Sequence, residues 1–213
     1  MKIRAVIFDF GGVLCFHPTR ELIQRAADHC GVEYDRFLKA MWKDRLAYDG
    51  GLDPLEYWRG VAKHAGSMFD DDLIARMIER EIEFWSRYDD RVFAWINDLR
   101  ASGIRTGILS NLPRPLGERL RTVRGFLEHF DHVTFSYELG LVKPEREIYD
   151  DAVRGAGVPA GECLFLDDRS ENIEGAHAAG LKAELFTTWE EFVAEMPGRY
   201  GLPAPRDLAA DAR

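Results

Sequence analysis

Four clusters of polar residues in this chain stand at or near the ends of apolar runs. They comprise carboxylates able to hold a cation or act as nucleophiles, and a hydroxyl, an amide and an ammonium able to hold an anion. Ile3 to Phe8 is a short run rich in β-branched and aromatic residues, and it stops at Asp9, followed by Phe10 and Gly11-Gly12. Ile104 to Leu109, broken once by Thr106-Gly107, ends in Ser110-Asn111. Cys163 to Leu166 ends in Asp167-Asp168, and Lys143-Pro144 lies just ahead of a helix starting near Glu145. Singly, each has a plain structural reading: Asp9 as a turn residue, Ser110 as a helix cap, Lys143 as a solvated loop lysine. Asp167-Asp168 resists such a reading, because adjacent carboxylates behind a buried strand repel each other unless a cation or donors compensate. Taken in order, each with its strand context, the clusters belong at the carboxyl edge of a sheet, where open α/β folds bind ligands.

That ordered set resembles the haloacid dehalogenase superfamily, whose members are mostly phosphatases using an aspartate nucleophile and a magnesium ion. The resemblance spans residues 1 to about 190. The run from Ser110-Asn111 through Leu141-Val-Lys-Pro144 to Asn172-Ile-Glu-Gly175 is similar to the branch with an inserted helical cap. Within that branch the chain is similar to the sugar-1-phosphate phosphatases and to the phosphatase domain of epoxide hydrolases. The resemblance implies that Asp9 attacks phosphorus to form an aspartyl-phosphate. It also implies Mg²⁺ held by Asp9, Asp168 and the Gly11 backbone carbonyl, with Asp167 an outer partner through water. The Ser110 hydroxyl, the Asn111 backbone N–H and Lys143 would hold the remaining phosphoryl oxygens. Asn172 is either a further outer partner or simply the first turn of its helix.

One position departs from the pattern. The family's phosphatases usually carry a second aspartate two residues after the nucleophile, and here that residue is Gly11. Without a built-in acid, the enzyme is expected to favour esters whose oxygen leaves easily, so glucose 1-phosphate should outperform glucose 6-phosphate. A water, a substrate hydroxyl or His17 are the other proton sources. Gly11 also suits two rival readings: a hydrolytic dehalogenase, and a catalytically weak binding or regulatory protein. The carboxylate pair argues for a metal, which a dehalogenase does not need, and the complete set of nucleophile, ligands and lysine argues against an idle protein. A dinucleotide-binding loop is the weakest rival, because Gly11-Gly12 lacks the Gly-x-Gly-x-x-Gly spacing.

Length and composition agree with a soluble enzyme of this size, and the resemblance implies a small phosphorylated metabolite as its partner. The 213 residues, 46% hydrophobic and 31% charged, can bury a core and one small accessory domain. A net charge of −9 argues against nucleic acid or an anionic membrane as partner. With no apolar run long enough to span a bilayer and no signal-peptide pattern after Met1, cytoplasm is the default expectation. Oligomeric state is left open. Three widely spaced cysteines, Cys15, Cys30 and Cys163, fit neither a disulfide framework nor a zinc site. Cys30 and Cys163 read as small buried hydrophobes, and Cys15 is the one with any prospect of being a reactive thiol.

A parallel, doubly wound α/β sheet would bring these groups together, and the resemblance implies an inserted all-helical cap. Helix and strand alternate from Arg91 onward, with strands expected at 104–110, 133–136, 163–167 and 183–186, and helices after Pro115, over 145–156 and over 172–179. Residues 16–86 show helical periodicity: Thr19 is an expected N-cap with Gly31 as stop, and Asp53-Pro54 opens a helix that Gly66 ends. A core of 1–15 and 87–200, a cap of 16–86 and a tail of 201–213 follow. The family order puts the first strand between those ending in Ser110 and Asp168. Arg45 and Tyr48 are expected to face the site from the cap, and Tyr57, Trp58, Phe84 and Trp85 to form its core.

Overall fold

A computed structural model describes residues 2–205. Its centre is a five-stranded parallel sheet. The strands are β1 (Ala5–Phe8), β2 (Arg105–Ser110), β3 (His132–Phe135), β4 (Cys163–Asp167) and β5 (Lys182–Leu185), in the order β3-β2-β1-β4-β5. β1 therefore lies between the strands ending in Ser110 and Asp167, as the family resemblance implied. All four of its residues are buried, which a strand covered on both faces requires.

Side-chain alternation divides the β1 residues between two cores. Val6 and Phe8 join Trp95, Ile96, Leu99 and Leu166 on one face, while Ala5 and Ile7 join Ile148, Tyr149, Phe165 and Ala176 on the other. The helices between β1 and β2 are α1 (Arg20–His29), α2 (Tyr34–Lys43), α3 (Arg45–Asp49), α4 (Pro54–His64), α5 (Asp71–Phe84) and α6 (Asp90–Ala101). No strand falls between residues 16 and 86. After β2 come α7 (Arg114–Thr122), α8 (Ser136–Leu139), α9 (Arg146–Ala156), α10 (Ser170–Ala178) and α11 (Trp189–Tyr200).

Cap chemistry sets the helix ends where the sequence signals it. The Thr19 hydroxyl accepts from the Leu22 N–H, and the Asp53 carboxylate accepts from Leu55 and Glu56 ahead of Pro54. Gly31 and Gly66, both with φ +62°, take the left-handed turns that end α1 and α4. Element boundaries elsewhere move by one or two residues. The first strand starts at Ala5, the last runs 182–185, and α10 begins at Ser170. Ser136, expected as the end of a strand, begins α8 instead. Its hydroxyl accepts from the Leu112 N–H at 3.0 Å and donates to the Asp49 carbonyl at 2.5 Å. Periodicity does not mark α11, whose interior contains Pro197.

The first residues of the expected tail are docked, since the Trp95 indole donates to the Pro203 carbonyl at 2.8 Å and Leu202 is buried. Residues 206–213 lie outside the described part. All three cysteines are buried, which removes the prospect of a reactive Cys15; burial and the nearby Asp9 charge push its thiol pKa up.

The α7 helix carries part of the site wall and packs closely on α8. A Cβ at Gly117 would lie 2.2 Å from Tyr137 Cε1 and 2.9 Å from Leu112 Cδ1. Alanine favours helix over glycine by about 1 kcal/mol, yet Gly117→Ala should destabilise the chain by roughly 1–3 kcal/mol through overpacking. Urea unfolding measures this, and a variant more stable than the parent would refute it.

Candidate functional site

The chain leaves β1 at Phe8 in register with Ile108 and Leu166, so the residues just beyond the three central strands converge. The Asp9 N–H donates to the Leu166 carbonyl at 2.8 Å, fixing the loop at the sheet edge. Oxygens of Asp9, Asp167 and Asp168 lie within 4.8 Å of one another. The Lys143 ammonium sits among them, 2.9 Å from Asp9 Oδ1 and 2.6 Å from Asp167 Oδ2, and donates to the Leu109 carbonyl at 3.2 Å. Lys143 is buried, in contrast to the solvated loop lysine that its position ahead of a proline would suggest by itself.

Two amides hold this arrangement. The Asn111 side chain donates to the Lys143 carbonyl at 3.0 Å and accepts from the Lys143 N–H at 2.8 Å, tying the lysine loop to the end of β2. Asn172 donates to both oxygens of Asp167, at 2.9 and 3.0 Å, and the Arg169 N–H adds a third contact at 2.9 Å. Asn172 thus bonds Asp167 from the first turn of α10, so both of its readings describe where it stands. Ser110, buried at the end of β2, lines the same cavity.

Burial is the largest influence on Asp9 and pushes its pKa up to about 7, with the Asp167 and Asp168 charges adding to the shift and Lys143 opposing it. For Lys143, burial pulls the pKa down, but the Asp9 and Asp167 carboxylates outweigh it and leave the ammonium above its ordinary range. His17, weighed from the sequence only as an alternative proton source, joins the site. Its Nε2 lies 2.9 Å from Asp168 Oδ2, and that contact raises the imidazole pKa. No spacing rule reaches it, because 151 residues separate the two groups.

The cavity has a volume of about 360 Å³. Besides the polar floor, Phe10, Trp42, Trp85, Leu112, Leu116 and the Arg45-Asp49 pair line it. Arg45 faces the site as expected, but its guanidinium is paired with Asp49 at 2.9 Å and with Glu81. Tyr48 does not; it lies wholly buried, its ring stacked on Tyr57 with centroids 3.8 Å apart. Tyr57, Trp58 and Phe84 are interior, whereas Trp85, expected in the same apolar cluster, also walls the cavity. The indole packs directly on Gly11, where an added Cβ would stand 2.9 Å from Trp85 Cζ3. The space that a side chain at position 11 would need is therefore filled, and an aspartate there requires Trp85 to move.

A buried carboxylate beside a lysine and a carboxylate pair, at the carboxyl edge of a parallel sheet, gives this α/β protein the groups for nucleophilic chemistry on a bound anion. The model of the haloacid dehalogenase-like hydrolase family matches residues 3–180, and the chain belongs to that family. It is 30% identical to Phosphatase MT3486 of Mycobacterium tuberculosis over 87% of this chain and 88% of that protein. The sesquiterpene phosphatase astK of Aspergillus oryzae is 30% identical over 95 residues, and this chain spans only 48% of its length. Among solved structures, the HAD family enzyme bt-2542 of Bacteroides thetaiotaomicron, in complex with magnesium and inorganic phosphate, shares the fold. Its TM-score is 0.69 at 23% identity, covering 99% of this chain and 100% of the other.

The raised Asp9 pKa has a consequence for the metal-free protein. Between its ordinary value of 3.8 and about 7, the native chain holds a proton that the unfolded chain has released. Asp9 therefore makes stability fall as pH rises through that window. In chelator, Asp9→Asn should gain stability relative to the parent as pH increases from about 4 to 7. A difference between the two that stays constant across the window, measured by urea unfolding, would contradict this account.

Proposed function

We propose that the chain is a Mg²⁺-dependent phosphatase that hydrolyses a small phosphate monoester through an aspartyl-phosphate on Asp9. The observation carrying this reading is the buried Lys143 ammonium at 2.9 Å from Asp9, with three carboxylates gathered within 4.8 Å. Crowded carboxylate oxygens are a hard donor set, the kind that suits Mg²⁺. Asp9, Asp168 and the Gly11 carbonyl would hold the ion, which supplies positive charge to the phosphoryl oxygens. Asp167 has both oxygens engaged by Lys143, Asn172 and the Arg169 N–H, which supports an outer role.

In this scheme the Asp9 carboxylate attacks phosphorus, the P–O ester bond breaks, and the departing oxygen keeps the electron pair and takes a proton from water. A second water then cleaves the aspartyl-phosphate, releasing phosphate and restoring Asp9. Lys143, the Ser110 hydroxyl and the Asn111 N–H stabilise the phosphoryl oxygens as charge redistributes. The Asn111 side chain holds the Lys143 loop in place. Residues 16–86 act as the cap over a core of 1–15 and 87–200, a division supported by the run of helices and by the Cys15–Tyr88 bridge where the chain leaves and re-enters the core. The magnesium and phosphate complex of bt-2542 and the phosphatase name of MT3486 favour the same chemistry. The resemblance to sugar-1-phosphate phosphatases makes a sugar 1-phosphate one substrate to try.

Asp9→Asn should abolish phosphate release while the far-ultraviolet circular dichroism stays unchanged, because the amide keeps the shape and loses the nucleophile. Chelation should stop turnover, and Asp168→Ala should raise the Mg²⁺ concentration needed for half-maximal rate. Hydrolysis of 2-haloacids at full rate in chelator, with phosphate esters untouched, would replace this reading by a dehalogenase.

A further inference from the structure

The polar side chains above the phosphate floor already have partners. Arg45 is paired with Asp49 and Glu81, Arg169 with Glu171, His17 with Asp168, Asn111 with the Lys143 backbone, and Asn172 with Asp167. A polyhydroxylated leaving group would have to share these side chains with the partners that already hold them. The rest of the lining is apolar and, apart from Trp42, carries little exposed surface. It consists of Trp85, packed on Gly11 next to the nucleophile, Trp42, half exposed at 49%, and Phe10, Leu112 and Leu116.

Asp9, Asp168 and Lys143 define the phosphoryl end of the cavity, so the organic part of the ester must lie against those indoles and leucines. Indole presents a flat π-face and, at the Gly11 side of the nucleophile, no acidic proton for a departing oxygen. Both properties select the same chemistry. A planar ring gains from stacking on indole, and a phenolic oxygen leaves as a stabilised anion, with an acidity near that of the tyrosine hydroxyl, pKa about 10.

Building on the phosphatase reading above, we propose that Trp85 and Trp42 form a leaving-group subsite for an aromatic ring, and that the preferred substrates are aryl phosphate monoesters. In the reaction the P–O bond to the ring oxygen breaks, the phenolate departs with the electron pair and takes its proton from water, and phosphate stays on Asp9 until water releases it. Gly11 matters because it leaves room for the Trp85 ring; Trp85 is a specificity residue and takes no part in bond making.

The test compares 2-naphthyl phosphate, glucose 1-phosphate and acetyl phosphate with Mg²⁺ in the parent chain and in Trp85→Ala, Trp85→Phe and Trp42→Ala. The parent should turn over the naphthyl ester with a kcat/KM above that for glucose 1-phosphate. Trp85→Ala should raise the naphthyl KM by roughly tenfold with a much smaller change in kcat, and Trp85→Phe should recover most of the loss. Trp42→Ala, at a half-exposed position, should raise the same KM without affecting folding, and it decides the matter if Trp85→Ala does not fold. An unchanged naphthyl KM in the soluble alanine variants, or a higher kcat/KM for glucose 1-phosphate, overturns the aryl subsite and leaves the phosphatase reading standing. Absence of Mg²⁺-dependent phosphate release from all three compounds overturns the phosphatase reading itself.

Discussion

The Lys143 ammonium, held between Asp9 and Asp167, is the interaction on which the rest of this structure depends. Three carboxylates within 4.8 Å would repel one another at the end of a buried sheet without a compensating cation. Lys143 supplies that charge at 2.9 and 2.6 Å, and its own burial is tolerable only because both carboxylates are there. Each member therefore makes the others possible. The second layer follows from the same requirement: Asn172 and the Arg169 N–H saturate Asp167, and Asn111 clamps the lysine backbone, so the charged groups keep one geometry.

Because that cluster hangs on three strand ends and one loop, the parallel sheet is what makes it precise. Register places Phe8 beside Ile108 and Leu166, which sets Asp9 between the β2 and β4 exits. The helical segment meets this edge through a main-chain contact, the Asp49 carbonyl bonded to the Ser136 hydroxyl. A second buried charge cluster, Arg45 with Asp49 and Glu81, lies directly above. Burial raises the pKa of both acids, opposed by the guanidinium between them. The cavity is thus bounded below and on one side by charges that are already paired, and elsewhere by indole and leucine.

Gly11 shows how a departure from a motif acquires a partner in three dimensions. In the sequence it is a departure from a motif, a gap where an acid is expected. In three dimensions the gap is occupied by the Trp85 ring, delivered from the end of α5 74 positions later in the chain. An aspartate introduced at 11 would meet that ring before it met a substrate. The pair, and not the glycine alone, is the unit that distinguishes this site.

Sequence by itself determined the alternation of strands and helices and the polar groups at the strand ends, because those rest on local signals, whereas the central place of β1 came from the family resemblance. Buried strands such as Ala5–Phe8 are short continuous apolar runs, the caps at Thr19 and Asp53 act within three residues, and each catalytic candidate directly follows or closely flanks such an element. Tertiary structure alone decided which distant side chains face one another. That His17 reaches Asp168, that Tyr48 turns inward onto Tyr57 while Arg45 lines the cavity, and that Trp85 fills the space at Gly11 all depend on how helices pack. Helical periodicity specifies which face of a helix is apolar; it carries no information on what that face will meet, since the packing partner is chosen by shape and charge across the whole fold.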